Sequence, residues 1–414
     1  MTPLPTYDEA IARILLRIDA RVISAPDSML RVESRSLADA DGHLLAENVF
    51  ADRDLPPFNR AQMDGYAIRH ADLTTDHPIP VIGHIAAGEP PMIDAPVGTC
   101  VSIATGAAVP NGLDTVVQHE WTDRGDPVQF KRADCQRGHA IHPFGADARA
   151  GDPLLVGGTR LSPHHLGIAA TVGVTALTVH ARPRVTVLTS GDEVVPPESE
   201  VLSHQIRNSN GIQTVRLAHH FGATTIDHHH IPDVLDATTR AVNDAIEHAD
   251  VVVSIGGVSA GDRDFFPTAF ANADVDTIVH GVAMQPGKPV FIGMAPNGTI
   301  IVGLPGNPVS ALVTGCLFLG PILKRMQFER NWLPRLTLPL TEPVKPNPRR
   351  EAFRPAILEK DRTVRIPTWQ GSGDLAHTVD TSGFVRLPVQ SEPVEGGESV
   401  RFYPWPTTPL ELFL

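Results

Sequence analysis

At 414 residues the chain is too long for one ordinary core, and about three domains are expected. A net charge of −13 without a basic tract excludes general nucleic-acid binding. No apolar run long enough to span a bilayer is read, and Met1 to Asp19 carries no secretion signal. Cys100, Cys135 and Cys316 lie far apart, which argues against a disulfide framework and for a reducing, cytoplasmic setting.

Residues 7–22 place Ile11, Ile14, Leu15 and Ile18 at helical spacing, with Asp8 and Glu9 favouring the helix start. Leu37–Val49 predicts a short helix and a turn. From Asp54 to about residue 145, short β-like runs cut by Gly, Pro and Asp read as an all-β module: Pro80–His84, Thr99–Ile103, Thr115–His119 and Val128–Lys131. Asp147–Gly151 closes it, and Ser162–Leu166 opens a helix. From Arg184 the rhythm becomes β-α-β. Strands are expected at Val185–Leu188, Thr224–His228, Val251–Ile255, Val290–Ile292 and Thr299–Val302. Helices are expected at Asn210–Phe221 (apolar at Ile212, Val215, Leu217 and Ala218), Val234–His248 (Leu235, Ala237, Val242 and Ile246) and Phe265–Ala271. A further helix, Val309–Met326, is bent at Pro321. This alternation predicts a mostly parallel sheet with helices on both faces. From Trp332 on, prolines are frequent, and Phe384–Leu387 and Val400–Tyr403 read as strands of a small β domain.

Three glycine-rich strand exits fall within the α/β part: Thr189-Ser190-Gly191-Asp192-Glu193, the run from Gly256 and Gly257 through Ser259, Gly261 and Asp262 to Asp264, and Gly303-Leu304-Pro305-Gly306-Asn307-Pro308. Each alone reads first as a tight turn; together they fall at the carboxyl edge of one sheet, where ligands of open α/β folds bind. Backbone amides in such loops suit phosphate or another oxyanion. Asp192, Glu193 and Asp264 belong to the same rim. They read either as helix caps or as carboxylates that hold a divalent cation with substrate phosphate, the usual mode for Mg2+. Lys288, in the turn Pro286-Gly287-Lys288-Pro289, reads as solvated or as a phosphate contact. His228-His229-His230 cannot chelate from one side, because neighbours on a strand point to opposite faces, so an exposed strand end is preferred. Asp233 reads as a helix cap or a site residue, and Asp64 as a turn former.

The series of motifs resembles the molybdopterin molybdenumtransferase family. It is carried by Gln62-Met63-Asp64-Gly65-Tyr66-Ala67, Ile103-Ala104-Thr105-Gly106-Ala107-Ala108-Val109-Pro110, Ser190-Gly191-Asp192-Glu193 and the run Gly256–Asp264. Pro286-Gly287-Lys288-Pro289, Gly303-Leu304-Pro305-Gly306-Asn307-Pro308-Val309-Ser310-Ala311 and Gly371-Ser372-Gly373 continue it over nearly the whole chain. The resemblance implies four parts: a discontinuous N-terminal linker and dimerisation domain (1–46 and 146–180), an inserted β module (47–145), a MogA/MoaB-like, mostly parallel α/β domain that binds molybdopterin (181–330), and a small β-barrel-like domain (331–414). It implies insertion of molybdate into the dithiolene of adenylylated molybdopterin, release of AMP, a need for Mg2+, and a homodimer whose cleft is shared between subunits. Carried over residue by residue, Asp64, Thr105, Asp147, Glu193, Asp233, Asp264, Lys288 and Ser372 line that cleft, with Glu193 or Asp264 on the metal. The chain departs from the family pattern at Gln285, where lysine is frequent, at Ala146-Asp147 and Asp233-Val234, each short of one acid, at Ser190, where threonine is common, and at Ala61-Gln62. Two rival readings follow: a non-catalytic relative that carries pterin or nucleotide, and an adenylyltransferase acting one step earlier.

Overall fold

The computed structural model describes residues 3–24, 31–257, 264–328 and 334–408. The chain divides into two compact units, one formed by Val32–Val179 and the other by the segment up to Arg31 together with His180 onward. The first helix, Tyr7–Ser24 (α1), belongs to the latter. Its apolar stripe is set by Tyr7, Ala10, Ile14 and Ile18, all buried, while the expected Ile11 and Leu15 flank it partly buried. This differs from the expected grouping of residues 1–46 with 146–180, because the stripe finds its apolar partner on the α/β core.

In the Val32–Val179 unit, Gly65–Ile68 (β1), Val81–Ile85 (β2), Cys100–Ile103 (β3) and Thr115–Gln118 (β4) form a sheet in the order β2-β3-β1-β4. β1 is antiparallel to β3 and β4, and β2 runs parallel to β3. The expected strand at Val128–Lys131 is not a ladder; Val128 and Phe130 make isolated bridges to Ile79 and Thr122 and fill the core instead. The expected helix after Leu37 is a single 3-10 turn, Leu37–Asp39, whose Asp39 N–H is capped by Ser36. A separate apolar cluster joins Leu45 to Leu155, Leu161 and Val179, residues on either side of the β module, and takes in Ala169 of the helix Pro163–Thr171 (α2).

The other unit is built on Arg184–Ser190 (β5), Ser209–His220 (α3), Thr224–Ile231 (β6), Leu235–His248 (α4), Val251–Ile255 (β7) and Phe266–Asn272 (α5). Asp276–His280 (β8), Met284–Gln285 (β9), Phe291–Met294 (β10), Ile300–Leu304 (β11) and Pro308–Thr314 (α6) follow. A π-helical segment, Gly315–Leu319, leads into Gly320–Met326 (α7). The sheet order is β6-β5-β7-β11-β10-β8. The pairs β6–β5, β5–β7 and β7–β11 are parallel, and β10 and β8 complete the sheet as antiparallel strands.

The all-apolar reading of β7 has a direct explanation. Val251, Val253 and Ile255 enter the core on one face, and Val252 enters the second core beneath α4 and α5. In α3 the buried face is Gly211, Thr214, Leu217 and Ala218, so the expected core residue Ile212 is turned out and is 53% exposed. The long helix, expected to bend at Pro321, carries a π-helical segment just before that residue. The ordinary α-helical donor to the Leu317 carbonyl would be the nitrogen of Pro321, which has no hydrogen, so the ladder widens there. The buried Tyr7 hydroxyl donates to that carbonyl at 3.4 Å. One reading is corrected here: Pro308–Met326 is long and apolar enough to cross a membrane by length and composition, but 78% of it is buried, as in a core helix.

Leu336–Pro339 (β12), Glu351–Leu358 (β13), Val364–Arg365 (β14), Gly383–Leu387 (β15) and Ser399–Pro404 (β16) form the C-terminal β domain, in the order β9-β13-β15-β16-β12. β14 pairs with β13, and Val364 bridges Leu340 just after β12, which curls the sheet toward a barrel. Its outermost strand, β9, comes from within the α/β sequence and pairs in parallel with β13. Alternation is clean: Ala352, Val385 and Phe402 fill the barrel, while Phe353, Phe384 and Tyr403 face the α/β core. Arg386 fastens this arrangement. It binds Asp8 of α1 at 2.8 and 2.9 Å, pairs with Glu351, and stacks over the rings of Tyr7 and Phe353 at 5.4 and 5.9 Å.

Candidate functional site

Register places three strand exits side by side, since Thr189, Ile255 and Leu304 are paired neighbours on β5, β7 and β11. The residues that follow, Ser190–Gly191, Gly256–Gly257 and Pro305–Asn307, therefore leave one sheet edge together. Gly256 and Gly257 have φ of 84° and 58°, in the left-handed region that favours glycine. A Cβ on Gly306 would sit 3.4 Å from the Gly256 Cα, so the turns pack against one another.

These turns floor a cleft of about 800 Å³. Ser190, Gly191, Glu193, Asp233, Gly256, Gly257, Asp264, Pro305, Gly306 and Asn307, all expected at the site, line it. Ser259 and Gly261 lie outside the described residues. Ser372 reaches the rim from the C-terminal β domain: its hydroxyl accepts from Asn307 Nδ2 at 2.9 Å and its carbonyl from the Val309 N–H at 3.0 Å. Lys288 is exposed one residue before the lining Pro289. Gln285, in place of a lysine, accepts from Asn347 Nδ2 at 2.5 Å.

Three of the amides expected to line an anion nest are already bonded within the protein. The Gly256 N–H is spent on the Leu304 carbonyl at 3.2 Å, and those of Gly191 and Asp192 bond Asp233. Asp192 is not a helix cap. Its carboxylate accepts from the Asp233 N–H at 3.2 Å while its own N–H donates to Asp233 at 3.3 Å, a reciprocal clasp between two loops. Burial, with the charges of Asp192 and Glu193 beside it, raises the pKa of Asp233 above the usual carboxylate value. Among the described residues the lining is acidic, with Arg207 as its cation. Among the described residues no three His, Cys, Asp or Glu side chains group to hold a metal unaided. Glu193 and Asp264, two hard oxygen donors facing one cleft, fit an ion that keeps water and phosphate oxygens as its other ligands.

Asp64 and Thr105 meet in the Val32–Val179 unit. Asp64 Oδ1 accepts from the Thr105 N–H at 2.6 Å and from its hydroxyl at 2.8 Å, which lowers the Asp64 pKa. Asp147 is not with them in this bonding; it takes His142 Nε2 at 2.7 Å. The expectation missed Arg207, Asn208 and Asn210. Asn208 caps α3 by accepting from the Gly211 N–H at 3.0 Å, and Asn210 Nδ2 donates to the Gly306 carbonyl at 2.7 Å. The signal was present, because Asn-Ser-Asn-Gly before an apolar periodic run is a helix start.

Comparison with known proteins matches three family descriptions in chain order. These are the MoeA N-terminal region (domain I and II) at residues 5–173, a probable molybdopterin binding domain at 186–325, and the MoeA C-terminal region (domain IV) at 337–405. The chain is 31% identical over 404 residues to the molybdopterin molybdenumtransferase of Synechococcus elongatus, across 95% of this chain and 98% of that one. It is 34% identical over 395 residues to molybdopterin molybdenumtransferase 2 of Mycobacterium tuberculosis, across 92% and 97%. The solved molybdopterin biosynthesis MoeA protein of Pyrococcus horikoshii superposes with a TM-score of 0.82 at 27% identity, covering 97% of this chain and 99% of that one.

Proposed function

Since this chain belongs to the molybdopterin molybdenumtransferase family, enzymes of molybdenum cofactor biosynthesis, we propose that it inserts molybdate into the dithiolene of adenylylated molybdopterin and releases AMP. The observation that carries this reading is the convergence of three strand exits and the Ser372 loop on one acidic cleft of about 800 Å³, a size for a pterin nucleotide. Glu193 and Asp264 would hold Mg2+. When bound, the ion offsets charge on the phosphoanhydride and on departing AMP. Pro305, Gly306 and Asn307 present backbone to the ligand from a turn that Ser372 and Asn210 hold still. Lys288 adds a cation beside Pro289, and Arg207 adds one within the lining. Asp64, kept ionised by Thr105, would join Asp147 in completing the cleft of the other subunit in a cytoplasmic homodimer.

Purified protein given adenylylated molybdopterin, Mg2+ and molybdate is expected to release AMP, and Asp64→Asn to slow that release strongly. Absence of AMP at saturating molybdate sinks the proposal. A second reading, a pterin-nucleotide carrier, draws support from Gln285, a neutral side chain bound to Asn347. Tight binding without turnover, with turnover regained in Gln285→Lys, would favour it.

A further inference from the structure

Beside the cleft floor, three side chains converge on one hydroxyl, with His228 and His230 themselves exposed to solvent. Thr189 is 2% exposed and lines the cleft beside Asn208. Asn208 Nδ2 donates to Thr189 Oγ1 at 2.9 Å. His228 Nε2 and His230 Nδ1 each lie 3.2 Å from that same oxygen. Residues two apart on a strand share a face, so β6 turns both rings toward Thr189 and His229 the other way. The fit is tight: a Cβ on Gly211 would fall 2.1 Å from His228 Cε1 and 2.3 Å from its Nε2. Gly211 is the residue whose N–H Asn208 caps.

A hydroxyl oxygen accepts two hydrogen bonds and donates one. With both imidazoles neutral the count closes. Asn208 and one ring N–H donate to Oγ1, and the hydroxyl proton goes to the other ring's lone pair. With both rings protonated, three donors face two lone pairs, so one ring must turn its N–H to solvent, and the hydroxyl proton is left the His229 carbonyl, at 3.4 Å. Two cations would also stand side by side.

We propose that His228 and His230 are positioning residues for the cleft: neutral, they hold Thr189 and through it Asn208 in place, and protonation of both releases that hold. The proposal rests on the cleft being the ligand site. Burial, with the charges of His229 and His230, lowers the pKa of His228, so its protonation comes late on acidification. Asp227 pairs with His229 at 3.6 Å; β5 and α3 present Thr189, Asn208 and Gly211 to the pair, none of which titrates in this range. α4 packs on the opposite face with Leu188 and Ile231.

The test follows the Asn208 carboxamide by hydrogen exchange on the full chain, corrected for the intrinsic pH dependence. Between pH of about 7.5 and about 5 its protection is expected to fall about tenfold in the native protein. The His228→Gln/His230→Gln double variant keeps neutral partners and is expected to show no step. His230→Gln alone should also show none, since one cation and Asn208 still fill only two lone pairs, and it serves if the double variant does not fold. Affinity for adenylylated molybdopterin should weaken in step with the loss of protection. A flat profile in the native protein, or the same step in both variants, overturns the proposal. A step in protection without AMP release at any pH would instead refute the transferase reading and leave the network standing.

Discussion

Gly65 stands between two strands with no room for a side chain. It pairs with Ile103 on one side and Gln118 on the other, one residue after Asp64. A Cβ there would lie 2.0 Å from the Val117 carbonyl oxygen, 2.7 Å from its carbon and 2.8 Å from the Gln118 Cα, all of them backbone. In Gly65→Ala that carbonyl must retreat by roughly 1.4 Å or more to reach ordinary contact, and β4 must move with it. The retreat strains the β1–β4 ladder and the bond from the His119 N–H to the Asp64 carbonyl, 3.1 Å long. Losing two ladder bonds and leaving their buried groups unpaired costs at least about 3 kcal/mol. For a unit of this size that lowers its Tm by about 6–12 °C. Calorimetry on the full chain reads the shift, and AMP release is expected to fall with it because Asp64 moves. A Tm within about 2 °C of the native value would refute the reasoning.

Arg386→Met leaves Glu351 inside without its cation and should cost about 3–5 kcal/mol in urea unfolding, much of it regained when Glu351→Leu is added. The Arg386 hydrogen bond also lowers the Asp8 pKa, so that contribution is present above the usual carboxylate range and lost as pH falls through the lowered value. The acid limb of stability should therefore flatten in Arg386→Met. The raised pKa of Asp233 has the opposite sign: its charge opposes folding as pH rises through the raised value. Asp233→Asn is then expected to unfold later than the native protein at neutral pH and together with it below the carboxylate range. Added Mg2+ should narrow the neutral difference if the cation binds beside it.

Legibility followed physical cause. β7 was readable because burial on both faces demands an unbroken apolar run, and Val251 to Ile255 supply one. The three turns were readable because strands paired in register must release their glycines at one edge. Ile212 was misread because one position around a helix, a turn of 100°, separates a core face from solvent. Sequence shows how many amides a loop contains but not that Asp233 and Leu304 engage those of Asp192 and Gly256. Asp147 was grouped with Asp64 and Thr105 through resemblance, whereas its bonding in this chain is to His142.

Because Met284–Gln285 is an integral rung of the C-terminal sheet, the two architectures of the second unit are interlocked rather than strung in series. Cutting the gene between them would strip one fragment of an outer strand and leave the other with a sticky, unpaired ribbon. Recombination that shuffles whole modules is thereby disfavoured in this part of the molecule, and the C-terminal sheet and the α/β core must change together.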